Sequence, residues 1–154
     1  MSVMERIHAA GIVLPGAEMP KALYVPYTQH RGLLTISGQL PLHNGKPVFV
    51  GKVPGAVSVE AAQEAARLCL TNLLGWVAVA VEGDFERIRG VVRLGGYVAA
   101  DPGFNDAPLV INAASELLNR IFAERGRHAR LALGVASLPF GAPVEIEATF
   151  ALDA

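Results

Sequence analysis

The spacing of apolar residues predicts two long helices. In residues 58–81 (SVEAAQEAARLCLTNLLGWVAVAV) the apolar positions follow a helical repeat, with Ser58 as the N-cap. In the second helix, steps of about 100° per residue bring the apolar positions onto one stripe. The stripe consists of Val110, Ala114, Leu117, Leu118 and Ile121. Asp106 is the predicted N-cap of this helix and Gly126 its C-terminal stop.

Alternating and turn-rich segments predict the remaining elements. Strands are expected at 130–137, at Val144–Leu152 and within 85–100, where Gly95-Gly96 indicates a bulge or a close backbone approach. Asn44-Gly45 predicts the turn of a hairpin within 32–51. Ser2 and Glu5 have capping-box spacing and predict a short first helix. This order of elements describes an α/β sandwich with two helices packed on one mixed sheet.

Alternation also predicts which side chains face the core in the last two strands. In 130–137 the core-facing set is Leu131, Leu133 and Val135, and the opposite set is Arg130, Ala132, Gly134 and Ala136. In the final strand the core-facing set is Val144, Ile146, Ala148 and Phe150, and the opposite set is Glu145, Glu147 and Thr149. Two adjacent strands would thus place a guanidinium and a carboxylate on the same side, away from the core.

Each polar candidate has a functional and a purely structural interpretation. Arg130 beside very small side chains leaves room for a ligand, but it could equally be a solvated edge residue or pair with an acid across a subunit contact. Glu145 could form a cross-strand ion pair worth a fraction of a kcal/mol. Asn112, opposite the apolar stripe of its helix, is free to face a ligand, another chain or solvent.

Composition narrows the function classes. The chain has 154 residues, of which 52% are hydrophobic, and this suits one domain with some apolar surface buried between subunits. A net charge of -1 without a basic stripe argues against nucleic-acid binding. The single cysteine, Cys69, lies in a helical pattern, so we expect an inert thiol and a reducing compartment. No signal peptide, membrane span, metal-ligand spacing, P-loop or nucleophile elbow is recognisable.

Several motifs together resemble one known family. They are SGQLP at 37–41, Asn112 within VINAASELL, and the spacing of Arg130, Pro139, Glu145 and Glu147. From Pro26 to the C-terminus the chain resembles the RidA/YjgF family of reactive-intermediate deaminases, also labelled the L-PSP endoribonuclease family. Residues 1–25 and the loop AADPGFNDAP indicate a longer subgroup.

The resemblance implies a chorismate-mutase-like sandwich forming one domain, 1–154, with 1–25 as an N-terminal extension. It implies a homotrimer with ligand clefts between subunits, and the single cysteine favours a cytoplasmic location. Its enzymatic members hydrolyse 2-imino acids to 2-keto acids and ammonia, without a metal or cofactor. Carried over, Arg130 would hold the substrate carboxylate and Glu145 would position or deprotonate the attacking water. The remaining cleft residues would be Tyr27, Gly38, Asn112 and Ala132, the last through its carbonyl.

Two departures from the family pattern are visible. The chain has VPY where deaminase-active members usually have GPY, and Ala132 where a polar or sulfur-bearing residue is common. Two alternatives therefore stand beside imine hydrolysis. One is a non-catalytic trimer that binds small carboxylates or acts like a chaperone. The other, less favoured because of the charge and the scattered histidines, is an endoribonuclease.

Overall fold

The computed structural model describes residues 1–154 and contains a five-stranded mixed sheet with the strand order β1-β2-β7-β5-β6. In chain order the elements are α1 (Val3–Ala9), β1 (Tyr27–His30), β2 (Leu33–Gln39), β3 (Leu42–His43), β4 (Lys46–Pro47), α2 (Val59–Ala80), β5 (Ile88–Ala99), α3 (Ala107–Phe122), β6 (Ala129–Val135) and β7 (Val144–Leu152). The long helices α2 and α3 pack on one face of this sheet, which confirms the predicted class.

Helix boundaries follow the predicted caps at three of the four predicted ends. The Ser2–Glu5 capping box starts α1, and the Ser58 hydroxyl accepts the Ala61 N–H at 3.1 Å to start α2. Asp106 occupies the N-cap position of α3, but its side chain makes no capping hydrogen bond. The stop predicted at Gly126 is wrong: α3 ends at Phe122, because Ala123 turns into positive φ (53°).

Gly126 instead ends a short 3₁₀ turn, Ala123–Gly126, that folds back on α3. A Cβ on this residue would lie 2.5 Å from the Leu118 carbonyl oxygen and 2.8 Å from Asn119 Cα. Both contacts are with backbone, which cannot move aside as a flexible side chain could. The absence of a side chain is therefore what lets this turn lie against the helix.

The core lies between the helices and the sheet. In β7 the predicted set is confirmed: Val144, Ile146, Ala148 and Phe150 are buried, and Glu145, Glu147 and Thr149 face the other side. At Gly96 the side chain of Ile111 on α3 packs directly on β5, since a Cβ there would lie 2.6 Å from Ile111 Cδ1. Val3 and Ile7 of α1 are fully buried in the same core.

The hairpin prediction is confirmed only locally. Asn44 and Gly45 both have positive φ (51° and 75°) and join the two-residue strands β3 and β4. The longer strand β2 pairs with β1 through a turn at Arg31-Gly32 and with β7 on its other side. Arg31 adopts positive φ (46°), and an arginine gives no sequence signal for that conformation.

The predicted faces of β6 are wrong. Its parallel partner β5 pairs Leu94 with Arg130 and Gly95 with Leu131. Leu94 is fully buried beneath the helices, so Arg130 lies on the helix side and Leu131, 39% exposed, on the other. The reason is position: β6 is an edge strand, so polar groups of α3 meet its helix side and its leucines lie on the uncovered face.

The uncovered face of the sheet combines apolar and charged side chains. Leu33 and Leu131 are both exposed there, and Thr35 lies beside Thr149 with their hydroxyl oxygens 3.4 Å apart. Arg93 pairs with Glu147 on the same face. None of the helices combines the length and the apolar character needed to cross a membrane.

Candidate functional site

Arg130 is held by two polar side chains of α3. Its Nη1 donates to Asn112 Oδ1 at 2.8 Å and to Ser115 Oγ at 3.2 Å. The guanidinium is exposed and forms no salt bridge with any carboxylate of this chain. An intramolecular ion pair therefore does not account for Arg130, and its remaining donors are open to an anionic ligand.

A histidine extends this arrangement. Ser115 Oγ lies 2.9 Å from His128 Nε2, and His128 Nδ1 lies 2.6 Å from the Gly126 carbonyl oxygen. These groups border a cavity of about 280 Å³ that is lined by five polar residues: Ser115, Asn119, Arg127, His128 and Arg130. Sequence reasoning missed Ser115 and His128, although both have a spacing signal. Ser115 is three residues from Asn112 on a helix, and His128, the residue before β6, is two residues from Arg130, the spacing at which side chains of an extended chain share a face.

Glu145 lies in a separate cluster on the uncovered sheet face. A Cβ on Gly38 would lie 2.3 Å from Glu145 Oε1, so this glycine leaves the space that the carboxylate occupies. Burial raises the pKa of Glu145, and the nearby negative charge of Glu147 raises it further. Glu147 itself accepts from Arg93 Nη1 at 2.6 Å and Tyr97 Oη at 3.2 Å. Of the two carboxylates, Glu145 is thus the one without a cationic partner.

The structure brings some of the predicted site residues together and separates others. Asn112 contacts Arg130, and Ala132 lies on the same face of β6, whereas Gly38 lies against Glu145. Tyr27 is on β1, at the opposite edge of the sheet from β6. The expectation that Arg130 and Glu145 share a face is wrong, because β5 lies between their strands and they project to opposite sides.

A larger cavity, of about 1060 Å³, lies between the N-terminal segment, α2 and the Asn44-Gly45 turn. None of the predicted site residues lines it, and we place the candidate site at Arg130 instead. Cys69 is free and buried. Its buried thiol donates to the Val144 carbonyl at 3.6 Å, and burial raises its pKa well above the ordinary value, with Glu145 adding to the effect. The predicted inert thiol agrees with this burial.

Comparison with known proteins identifies relatives along nearly the whole chain. The profile of the family described as "YjgF/chorismate_mutase-like, putative endoribonuclease" matches residues 4–146. Protein TCP17 of Trypanosoma cruzi is 38% identical over 152 residues, covering 98% of this chain and 94% of that protein. The crystal structure of Atu1372 from Agrobacterium tumefaciens is 46% identical with a TM-score of 0.92, covering 98% of this chain and 92% of its own.

A more distant structural relative carries a ligand. The crystal structure of E. coli TdcF with bound serine is 26% identical with a TM-score of 0.57, covering 92% of this chain and 94% of that one. This chain is less similar to TdcF than to Atu1372, both in sequence identity and in the superposition of the two structures. The comparison therefore groups this chain more closely with Atu1372 than with TdcF.

Proposed function

The chain belongs to the YjgF/chorismate-mutase-like family, and we propose that it hydrolyses 2-imino acids to 2-keto acids and ammonia. The clefts would lie between subunits of a homotrimer, with Arg130 holding the substrate carboxylate. The observation that carries this proposal is the guanidinium of Arg130. It is fixed by Asn112 and Ser115, exposed, and unpaired with any carboxylate of its own chain.

The substrate class follows from the chemistry of that guanidinium. A planar fork of N–H donors matches a carboxylate in a bidentate geometry that a lysine ammonium cannot reproduce. Asn112 and Ser115 restrict the rotation of the fork, so less entropy is lost when the carboxylate binds. Serine, the ligand of TdcF in the E. coli structure, also carries an α-carboxylate, and this supports a small amino-acid-like ligand.

Glu145 would act on the water. With the carboxylate fixed, a water molecule attacks the carbon of the protonated imine while Glu145 accepts one of its protons, and the C=N π electrons move to nitrogen, which gives a neutral carbinolamine. Glu145 returns that proton to the amine nitrogen and then accepts the hydroxyl proton as the C=O bond forms, the C–N bond breaks and ammonia leaves. Glu145 finally releases this proton to solvent. Its raised pKa keeps the carboxyl a stronger base than an ordinary glutamate.

A second copy of the chain supplies the missing half of the cleft in this proposal. Arg130 and Glu145 project from opposite faces of one sheet, so one chain does not bring them to the same ligand. The uncovered sheet face exposes Leu33 and Leu131, apolar surface that favours self-association. We therefore propose a homotrimer in which Arg130 of one copy faces Glu145 of another. The free buried thiol of Cys69 supports a reducing, cytoplasmic location.

Binding without turnover is the second candidate function. The Arg130 arrangement would hold a 2-keto acid equally well in a protein that does no chemistry. An endoribonuclease is less well supported, because the net charge of -1 provides little attraction for a polyanion.

The deciding experiment measures ammonia release from 2-iminobutanoate generated in situ, with 2-ketobutyrate binding measured in parallel. We expect turnover by the wild type and its loss in Arg130→Ala and Arg130→Lys. Arg120→Ala, an exposed α3 arginine that donates to the Ala9 carbonyl, is the matched control and should retain activity. Binding lost in Arg130→Ala without any wild-type turnover would establish the second candidate. No effect of Arg130 on either readout would overturn both.

A further inference from the structure

Ser115 and His128 form one continuous hydrogen-bonded chain with Arg130, and the proposed function so far gives His128 no role. The chain runs from the Gly126 carbonyl through His128 and Ser115 to the guanidinium of Arg130 and ends at Asn112 Oδ1. Its four links measure 2.6, 2.9, 3.2 and 2.8 Å in that order. All are within hydrogen-bonding distance, so the groups act as a connected unit.

With a neutral imidazole, the direction of every link follows from the groups at its ends. The Gly126 carbonyl can only accept, which places the neutral imidazole proton on Nδ1 and leaves Nε2 as an acceptor. The guanidinium can only donate, so Ser115 Oγ accepts from Nη1. The Ser115 hydroxyl proton then points to His128 Nε2. His128 thereby keeps the lone pairs of Ser115 turned toward Arg130.

The contacts to Asn112 and Ser115 determine which edge of the guanidinium remains for a ligand. Nη1 carries two hydrogens, and the two contacts to Asn112 and Ser115 use both of them. The end-on fork between Nη1 and Nη2 is therefore occupied on one side. The side-on fork, formed by Nε–H and one Nη2–H, is the edge that keeps two parallel donors for a carboxylate.

We propose that Ser115 and His128 are positioning residues that hold Arg130 so that its Nε and Nη2 edge binds the ligand carboxylate. The proposal rests on the proposed function only in taking a carboxylate as the ligand. Turnover is not needed, because the hydrogen-bonded chain lies within one subunit and exists before the ligand arrives.

Binding of 2-ketobutyrate tests the chain without relying on catalysis. Ser115→Ala and His128→Ala should each weaken binding by about 5- to 10-fold, the effect of losing one hydrogen bond of typical strength. If the wild type turns over an imino acid, KM should rise by a similar factor while kcat changes little. Because the residues act in series, the double variant should be no weaker than either single one.

Conservative variants separate positioning from a merely structural role. Ser115→Thr keeps the hydroxyl and His128→Gln offers an amide oxygen as acceptor, so both should retain most of the affinity. Arg120→Ala is the control, since Arg120 is an exposed α3 residue that donates to the Ala9 carbonyl and does not line this cavity. We expect its affinity to equal that of the wild type.

A spectroscopic measurement tests the position of Arg130 directly, without an activity assay, and the same spectrum shows whether each variant is folded. In ¹⁵N-labelled protein the Arg130 Nη signals should be resolved by restricted rotation, and Ser115→Ala should average them. Unchanged Arg130 signals and unchanged 2-ketobutyrate affinity in folded Ser115→Ala and His128→Ala would overturn the positioning role. Altered signals and affinity in a wild type that shows no turnover would support it while removing the proposed hydrolysis.

Discussion

Arg130 and Glu145 lie on opposite faces of the same sheet, with β5 between the strands that carry them. Arg130 projects toward α3, where Asn112 holds it, and Glu145 projects onto the face that no helix covers. If both residues act on one ligand, they must come from different copies of the chain. The proposed trimer can therefore be tested through its chemistry as well as its mass.

Mixing two inactive variants should restore activity. Arg130→Ala and Glu145→Gln each remove one half of every cleft, but a random mixed trimer places intact Arg130 and intact Glu145 together in about one quarter of its clefts. We expect about one quarter of wild-type ammonia release after co-refolding or subunit exchange. The two variants assayed separately provide the baseline. A mixture no more active than its components would show that the residues do not meet across subunits.

A charge on the uncovered sheet face should disrupt assembly. Leu131→Lys places an ammonium on that face, whereas Val79→Lys changes a similarly exposed apolar residue near the end of α2. Burying a lysine between subunits without a partner is strongly unfavourable, so only the first variant should dissociate. Light scattering should give about three times the chain mass of 16.2 kDa for the wild type and Val79→Lys, and 16.2 kDa for Leu131→Lys. Trimeric Leu131→Lys would exclude this face as the interface.

The rate should fall at acidic pH through a pKa above the ordinary glutamate value of 4.5, because Glu145 acts as a base only when ionised. Burial is the main cause of the raised pKa and Glu147 the second. Glu147→Gln removes the second cause, so the acidic limb of the pH profile should move to lower pH. Glu60→Gln, on an exposed residue of α2, should leave it in place. If the acidic limb of the pH profile is the same in Glu147→Gln as in the wild type, this would argue against Glu145 as the base.

The raised pKa of Glu145 also makes the free energy of unfolding depend on pH. The folded state binds the Glu145 proton more tightly than the unfolded state does. Its contribution to the free energy of unfolding is therefore present below the unfolded pKa and is lost as pH rises through the folded pKa. Glu145→Gln should remove this dependence, so urea melts of the variant should lose less stability than the wild type between acidic and neutral pH.

The N-terminal segment should couple energetically to α2 at Gly75. A Cβ there would lie 2.9 Å from Pro15 Cγ, so Gly75→Ala gains about 1 kcal/mol of helix propensity but displaces Pro15. In a Pro15→Gly background the clash disappears and the gain should be realised. Urea denaturation of the four chains of this double-mutant cycle should give a coupling of about 1 kcal/mol or more. Additive effects would mean that the segment does not pack on α2 in solution.

Sequence patterns predicted most of the architecture because they report local preferences. The Ser58 cap, the alternation of β7 and the close approach at Gly96 each depend on neighbours in sequence or on one packed face. The orientation of Arg130 could not be predicted in this way. Alternation defines two faces, but only the sheet order shows that β6 is an edge strand whose helix side is polar.

Only those residues of the candidate site that belong to a recognisable motif could be predicted from the sequence. Arg130, Asn112 and Glu145 came from their spacing and its resemblance to a family, whereas Ser115 and His128 carry no motif of their own. The contact between them joins α3 to the start of β6, thirteen positions apart in sequence. The Arg31-Gly32 turn was missed for a different reason, since arginine rarely adopts positive φ.

Gly126 has two structural roles, and a substitution at this position would affect both. Its missing side chain lets the turn close against α3, and its carbonyl orients the imidazole of His128. Any side chain at this position would shift the turn and, with it, the acceptor that sets the direction of the hydrogen bonds to Arg130. Loss of affinity for a carboxylate could thus arise from a residue that never touches the ligand. The turn that follows α3 thus contributes, through His128, to the carboxylate site that we propose at Arg130.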